Sequence, residues 1–269
     1  MQPIKPMLCE PSEAFDSDKY LFEIKFDGER ALFHFDKGSL IIQNRRGDDI
    51  TFRYPEFFSL ANGKQGIVDG EIVAFDSEGK SNFDLLAQRS HLQKQFDIAI
   101  RAKKIPLIFM AFDILKFDNE DLTKLPLTKR REILYKEFPP SIGLFQWSLP
   151  LDKEGRGIAL FQMAKELDLE GIVAKHIDSP YIQNHRGAYW KKIKNVKTID
   201  MIFTKYTINN AGIRIENEEG IAVQVAGKNA PAVKKEIDEK GVVLIEVKYL
   251  NKTKYGKLRM PTFKELKAA

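Results

Sequence analysis

Eight charged residues interrupt otherwise apolar runs in this chain: Lys25, Asp27, Glu71, Asp113, Glu170, Lys175, Lys192 and Lys194. A charge buried without partners costs several kcal/mol. Lysines and acids on apolar strands must therefore either turn to solvent or converge on one another, and this narrows the folds open to the chain. If they converge, they build a pocket that is acidic and basic at once. Such a pocket suits a metal-bound phosphate, with the acids holding the cation and the lysines the phosphate oxygens.

Strands are expected over residues 20–26, 31–35, 39–43, 66–75, 107–115, 170–175 and 189–194, and all of the eight charges but Asp27 lie within them. Asp27-Gly28 between alternating apolar residues predicts a hairpin turn. Period-two spacing puts Lys192 and Lys194 on one face of the last of these strands. Residues 82–104 have helical spacing in Phe83, Leu86, Leu92, Phe96 and Ile100. Thr128 is suited to cap a helix through Lys136, with Ile133 and Leu134 on its buried side, and residues 157–167 read as a further helix.

Beyond Asn195 the character changes. Short strands are expected over 199–206, 213–217, 221–226 and 242–249, with a polar helix over 233–240. Short strands with one helix among them fit a small barrel of the oligonucleotide-binding (OB) type. The chain thus divides into an α+β domain over 1–195 and an OB-fold domain over 196–269. The charge divides with it. Residues 197–269 hold 14 basic and 9 acidic side chains, which accounts for the whole net charge of +5. A basic module beside a neutral one suggests a docked polyanion.

Several chemistries are excluded. The one cysteine, Cys9, permits neither an internal disulfide nor a cysteine-based zinc site, and a reducing, cytoplasmic setting is expected. The first ten residues lack the apolar core of a signal peptide, and no apolar run is long enough to span a membrane. Neither common nucleotide-cradling glycine motif is present, and no two of the four histidines have ligand spacing. Lys25 stands out as a candidate nucleophile, which needs a neutral amine. Lys192 and Lys194 are suited to depress its pKa by like-charge repulsion, and equally to bind the phosphate under attack.

Six short stretches then occur in a telling order. Lys25-Phe26-Asp27-Gly28-Glu29-Arg30 matches Lys-x-Asp-Gly-x-Arg, and Asn44-Arg45-Arg46-Gly47 matches Ser-Arg-x-Gly with Asn for Ser. Asp69-Gly70-Glu71 follows, then the aromatic strand Phe109-Met110-Ala111-Phe112-Asp113. Glu170-Gly171-Ile172-Val173-Ala174-Lys175 and Trp190-Lys191-Lys192-Ile193-Lys194 complete the set. The ordered set resembles the covalent nucleotidyltransferases, and among them the ATP-dependent DNA ligases of the short two-domain bacterial and archaeal type.

The resemblance implies a nucleotidyltransferase (ATP-grasp-like) domain of antiparallel sheets with flanking helices. It implies ATP and Mg2+ (or Mn2+) as cofactors and nicked double-stranded DNA as partner, with end-joining or other repair proteins as further partners of a monomer. Lys25 would attack the α-phosphate of ATP, pass AMP to the 5′-phosphate of a nick, and the 3′-hydroxyl would then displace AMP. Glu23 would read the adenine amino group and Phe112 would stack on the ring. Arg30, Arg45 and Glu71 would hold ribose and phosphate, while Lys175, Lys192 and Lys194 would hold the α-phosphate. Glu170, with Glu71, would bind the metal, and Asp27 would act in the later steps. Arg186, Tyr181 and Arg259 would face DNA, and Lys191 would face solvent. An RNA ligase or a capping guanylyltransferase is the alternative enzyme, and a non-catalytic nucleic-acid binder the alternative outside catalysis. The family's closing Arg-x-Asp-Lys motif is absent in that form, leaving Arg259, Lys264 or Lys267 as substitutes or self-adenylation slow.

Overall fold

The computed structural model describes residues 2–61, 63–151, 154–253 and 256–267. It separates into two compact units, Met1–Lys194 and Asn195–Ala269. The strands of the first are β1 (Leu8–Pro11), β2 (Tyr20–Ile24), β3 (Glu29–Asp36), β4 (Ser39–Asn44), β5 (Gln65–Val73), β6 (Ile108–Phe117), β7 (Glu120–Asp121), β8 (Phe145–Trp147), β9 (Gly171–His176) and β10 (Arg186–Lys194). Its helices are α1 (Phe83–Ser90), α2 (Gln95–Lys104), α3 (Leu127–Glu137) and α4 (Gly157–Glu166).

Two sheets result. The larger runs β4-β3-β5-β6-β7, with β8 parallel to β6, and the smaller runs β1-β10-β9-β2, with β1 parallel to β10. All other pairs in them are antiparallel. One face of the larger sheet packs a core that includes Phe33, Phe35, Ile72 and Phe109. One face of the smaller sheet packs Phe22, Ile172, Ala174 and Ile193 against Leu160 and Ala164 of α4. The opposite faces of the two sheets share a third cluster of Leu32, Phe112, Leu115, Trp190, Tyr181 and Met7.

This topology replaces the hairpin expected at Asp27-Gly28. β2 pairs with β9 and β3 pairs with β4 and β5, so residues 25–28 carry the chain from one sheet to the other. Gly28 lies so close to β5 that a Cβ there would sit 2.3 Å from the Ile72 carbonyl oxygen and 2.7 Å from Glu71 Cγ. The glycine is needed for close backbone approach, not for a turn conformation. The helix expected over 82–104 is two helices, broken at residues 91–94, with Asn82 accepting from the Leu85 amide as the first N-cap. Helix α3 starts at Leu127 behind Pro126, without the side-chain cap expected from Thr128.

The second unit contains β11 (Lys197–Phe203), β12 (Lys205–Asn209), β13 (Gly212–Glu216), β14 (Ala222–Val225), α5 (Asn229–Lys240), β15 (Val243–Tyr249) and β16 (Thr262–Leu266). The strand expected over 199–206 breaks at Thr204, and its halves enter different sheets, β11-β15-β16 and β12-β13-β14. Both sheets are antiparallel and share one core of residues such as Phe203, Ile215, Val223 and Val247, on which α5 lays Val233 and Ile237. Gly241, with φ +73°, closes α5 in the left-handed conformation. No closed barrel forms among the described residues. No described helix is long and apolar enough to cross a membrane.

Candidate active site

Strand alternation builds the first wall. Lys192 on β10 lies opposite Val173 on β9, which lies opposite Glu23 on β2; Trp190 lies opposite Lys175, and Lys194 opposite Gly171. Residues directly opposite one another share a face. Lys175, Trp190, Lys192, Lys194 and Glu23 therefore stand together, while the intervening Phe22, Ile172, Ala174 and Ile193 form the core. Lys25, two residues beyond Glu23, joins the polar face just past the end of β2.

Register shifts help build the second wall. Along β5 and β6, Asp69 pairs with Asp113 but Gly70 pairs with Ala111, so Phe112 is the extra residue of a bulge. Leu115 is the extra residue of another, between the Ile67–Lys116 and Val68–Ile114 pairs. Both side chains join the cluster between the sheets rather than the main core of the larger sheet. Bulges re-aim side chains in this way. Arg30 and Glu71, opposite each other on β3 and β5, share the second wall with Phe112.

The walls enclose a cavity of about 220 Å³. Glu23, Lys25, Arg30, Arg45, Glu71, Phe112, Lys175, Arg186, Lys192 and Lys194 all line it. Arg45 is exposed on the turn after β4, where the Asn44 side-chain oxygen accepts from the Arg46 and Asp48 amides at 2.8 and 3.0 Å. Asn44 thus performs the local hydrogen bonding expected of a short polar side chain at this turn.

The charge network is specific. Lys25 Nζ donates to Glu170 Oε2 at 2.8 Å, and Lys194 Nζ lies 3.6 Å from Glu170 Oε1. Burial acts to lower the Lys25 pKa, but Glu170, Glu71 and Asp27 outweigh it and hold the amine above its usual value. The depression expected from Lys192 and Lys194 is therefore overturned by these carboxylates. The depression falls on Lys192 itself, through burial and then the charges of Arg186 and Lys194, and on Lys175, through burial with Arg131 and Arg30 adding. Burial, with repulsion from Glu170 and Asp69, pushes the Glu71 carboxyl up to about 7. Glu170 and Glu71, whose carboxylates repel each other, would suit a divalent cation, with water and substrate phosphate completing its ligands. No cluster of three or more His, Cys, Asp or Glu suited to a metal occurs among the described residues, so Glu170 and Glu71 would be the protein's share.

Glu23 is buried and firmly held. Arg131 Nη2 donates to its Oε1 at 2.5 Å, Lys175 Nζ lies 3.1 Å from the same oxygen, and Ser148 Oγ donates to Oε2 at 2.7 Å. Burial would raise this carboxyl, but Arg131, Lys175 and Ser148 together bring it below its usual value. The Phe112 ring carries Lys175 Nζ at 3.7 Å and Arg30 Cζ at 4.6 Å from its centroid. Arg30 in turn grips both oxygens of Asp69 at 2.6 Å.

Asp27 is buried beside the site, its amide donating to Ser81 Oγ. Arg186 is exposed and donates to the Cys9 carbonyl at 2.7 Å. Tyr181, expected to face DNA, is buried instead; its hydroxyl donates to Asp69 and accepts from the Met7 amide, which leaves it no route to solvent. Asp113 leaves the converging set too, because both its oxygens take the buried Arg130 guanidinium at 2.7 Å. Lys191, expected in solvent, is half-buried, with Nζ 5.0 Å from the Phe15 ring centroid. In the second unit Arg259 is tied by its backbone to Leu250 and Asn251, while Lys264 and Lys267 both pair with Glu246 at 2.8 Å.

Arg131 and Ser148 were not visible as site residues. Arg131 hides in a helix of ordinary charged composition, and Ser148 follows the three-residue strand β8. The pairing of acids with arginines on other elements is the one signal that could have flagged the first.

The model of the ATP dependent DNA ligase domain matches residues 6–194. Over 97% of both chains, the sequence is 28% identical to the SPbeta prophage-derived DNA ligase-like protein LigB of Bacillus subtilis. It is 36% identical to a DNA ligase of Pyrobaculum neutrophilum across 68% of this chain and 32% of that one. A probable DNA ligase of Streptomyces coelicolor is 34% identical across 75% of this chain and 41% of its own length. The chain thus spans nearly all of the prophage relative but less than half of the latter two. Among solved structures, mycobacterial DNA ligase D complexed with ATP and MES shares the fold at a TM-score of 0.64, with 22% identity and coverage of 98% and 95%. A structure from a study of Lig E DNA ligases has a TM-score of 0.67 at 16% identity, covering 97% and 99%. The matched domain contains both walls of the cavity, and with it this chain belongs to the family of ATP-dependent DNA ligases.

Proposed function

We infer that Lys25 is the residue that carries AMP in this ligase. The observation that carries the reading is the position of Lys25, at the crossing between the sheets, with Nζ on Glu170 and with Lys192 and Lys194 lining the same cavity. Neutral Lys25 attacks the α-phosphorus of ATP; a P–N bond forms, the bond to the bridging oxygen breaks, and pyrophosphate leaves. An oxygen of the nick's 5′-phosphate then attacks the same phosphorus, and the lysine amine departs. The 3′-hydroxyl finally attacks the activated 5′-phosphate, forming the phosphodiester and releasing AMP.

The chain's residues divide this work. Glu23 faces the base and Phe112 stacks on it, Arg30 and Arg45 hold ribose and phosphate, and Lys175, Lys192 and Lys194 hold the α-phosphate. Preorganised cations at the phosphate act where charge shifts during displacement. Glu170 and Glu71 would hold Mg2+, which when bound would offset phosphate charge. Glu170 also restrains Lys25 as an ammonium, so loading requires that pair to loosen and a proton to leave. Asp27 serves the later steps.

In this reading the second unit, of OB type, binds duplex DNA with Arg259 among its contacts, and Arg186 of the first unit contacts DNA as well. Its excess of 14 basic over 9 acidic residues supports that role. Nick sealing in cytoplasmic DNA repair, by a monomer, follows from the same reading.

A nicked duplex labelled at one strand tests the proposal. With ATP and Mg2+ the protein should seal it, and Lys25→Ala should not. Sealing by Lys25→Ala at the wild-type rate would overturn the assignment. Binding to the duplex should weaken steeply with salt, since each phosphate contact releases counterions.

A further inference from the structure

One guanidinium ties together the two groups that meet the base. Arg131, on α3, donates from Nη2 to Glu23 Oε1 at 2.5 Å and from Nε to the Phe112 backbone carbonyl at 3.1 Å. Glu23 lies on the smaller sheet and Phe112 is the bulge residue of the larger one. Ser148, which follows β8, fixes the other Glu23 oxygen, and its own amide donates to the Ala111 carbonyl at 2.7 Å beside the same bulge. The ring position and the carboxylate position are thus set by one frame of four hydrogen bonds. All three side chains in the frame, Arg131, Glu23 and Ser148, are buried.

We propose that Arg131, assisted by Ser148, is a positioning residue that sets selectivity for a 6-aminopurine over a 6-oxopurine nucleotide. This rests on the reading of the cavity as the ATP site. An ionised carboxylate is acceptor-only. Facing an exocyclic amino group, it gains a hydrogen bond; facing a 6-oxo group, two acceptors confront each other in a buried place, and the mismatch is costly. Selectivity therefore requires that Glu23 stay ionised and that its free lone pair lie in the plane of the base stacked on Phe112. The Arg131 fork meets both requirements, because its charge holds the carboxylate and its second arm holds the bulge. A lysine would supply the charge but cannot reach both acceptors with fork geometry.

The test compares ATP with inosine triphosphate, which differs at the 6-position, as substrates for nick sealing by wild type, Arg131→Lys and Ser148→Ala. Wild type should prefer ATP by roughly 100-fold or more in kcat/KM. In Arg131→Lys the ATP KM should rise about 10-fold with kcat changed about 3-fold or less, while inosine triphosphate changes little, so the preference narrows about 10-fold. Ser148→Ala should narrow it by about 3-fold. Loss of activity by equal factors on both nucleotides, or an unchanged preference in both variants, would overturn the proposal. So would a wild type that does not distinguish the two. If Arg131→Lys fails to fold, Ser148→Ala alone decides. A wild type that forms no lysine adduct with either nucleotide fails at the earlier reading, and is recognised by that before any variant is compared.

Discussion

Two ion pairs in the first unit look alike in sequence and differ in kind. Asp113–Arg130 is a closed pair. Both side chains have no exposure, both carboxylate oxygens are gripped, and Arg130 Nη1 also donates to the Leu125 and Ser179 carbonyls. Lys25–Glu170 is an open pair. Lys25 retains 23% side-chain exposure, Glu170 is shared with Lys194, and Glu71 beside them is pushed up to about 7. The first pair holds α3 onto β6, and every polar group in it is satisfied. The second leaves charge incompletely matched, and that imbalance is what a phosphate and a cation can complete. Incomplete compensation is what separates the pair at the cavity from the pair that only joins two elements.

The widest separation of the two pairs should come from Lys25→Ala. Nick sealing should fall by about 10⁴-fold or more. Stability should change by about 1 kcal/mol or less, since the pair is partly exposed and Glu170 keeps Lys194. Urea denaturation beside a sealing assay checks both. Lys194→Ala should cost about 100-fold in sealing, because it removes one of the cations lining the cavity that are proposed to hold the α-phosphate. Arg130→Ala should behave in the opposite way. It strands a buried Asp113 carboxylate and should cost about 3–5 kcal/mol of stability. Sealing per folded molecule should be retained. Replacing both Asp113 and Arg130 by leucine should recover part of that loss, whereas an equal or larger loss would mean the pair does more than fill its site.

The smallest expected effect concerns His34, on β3 two positions beyond Leu32 and away from both pairs. Burial lowers its pKa from 6.5 to about 4. Below pH 6.5 the unfolded chain takes up a proton that the folded chain refuses, so stability is full above that pH and falls as pH drops toward about 4. The loss should be about 1 kcal/mol, short of the full shift because the ring is only half-buried. His34→Gln should flatten the slope between these limits while leaving both ion pairs intact.

Much of the first wall was legible. Period two alone puts Lys192 and Lys194 together, and the same alternation aligns Glu23 with Lys25. The second wall, Arg30, Glu71 and Phe112, was legible only through the order of the motifs, since Phe112 reaches the cavity through a bulge and a bulge leaves no mark in an apolar strand. The turn at Asp27-Gly28 misled for a related reason. Asp-Gly signals a hairpin locally, but β2 finds its partner in β9, about 150 residues on, and long-range pairing prevails over local turn chemistry. Tyr181 was read by its place in the family's order, and packing sent its ring inward, with its hydroxyl on Asp69. In the second unit the polar composition of Thr262–Leu266 concealed a strand, and the sheet switch at Thr204 had no sequence signal.

The open pair, and not the closed one, should hold the reactive group. The most direct measurement is intact mass and peptide mapping after incubation with ATP and Mg2+, for wild type and for Lys25→Ala. Wild type should gain one AMP-sized addition, mapped to Lys25 and lost on adding nicked duplex, and the variant should gain none. An addition mapped to Lys175, Lys192 or Lys194, or one that survives in Lys25→Ala, would contradict it.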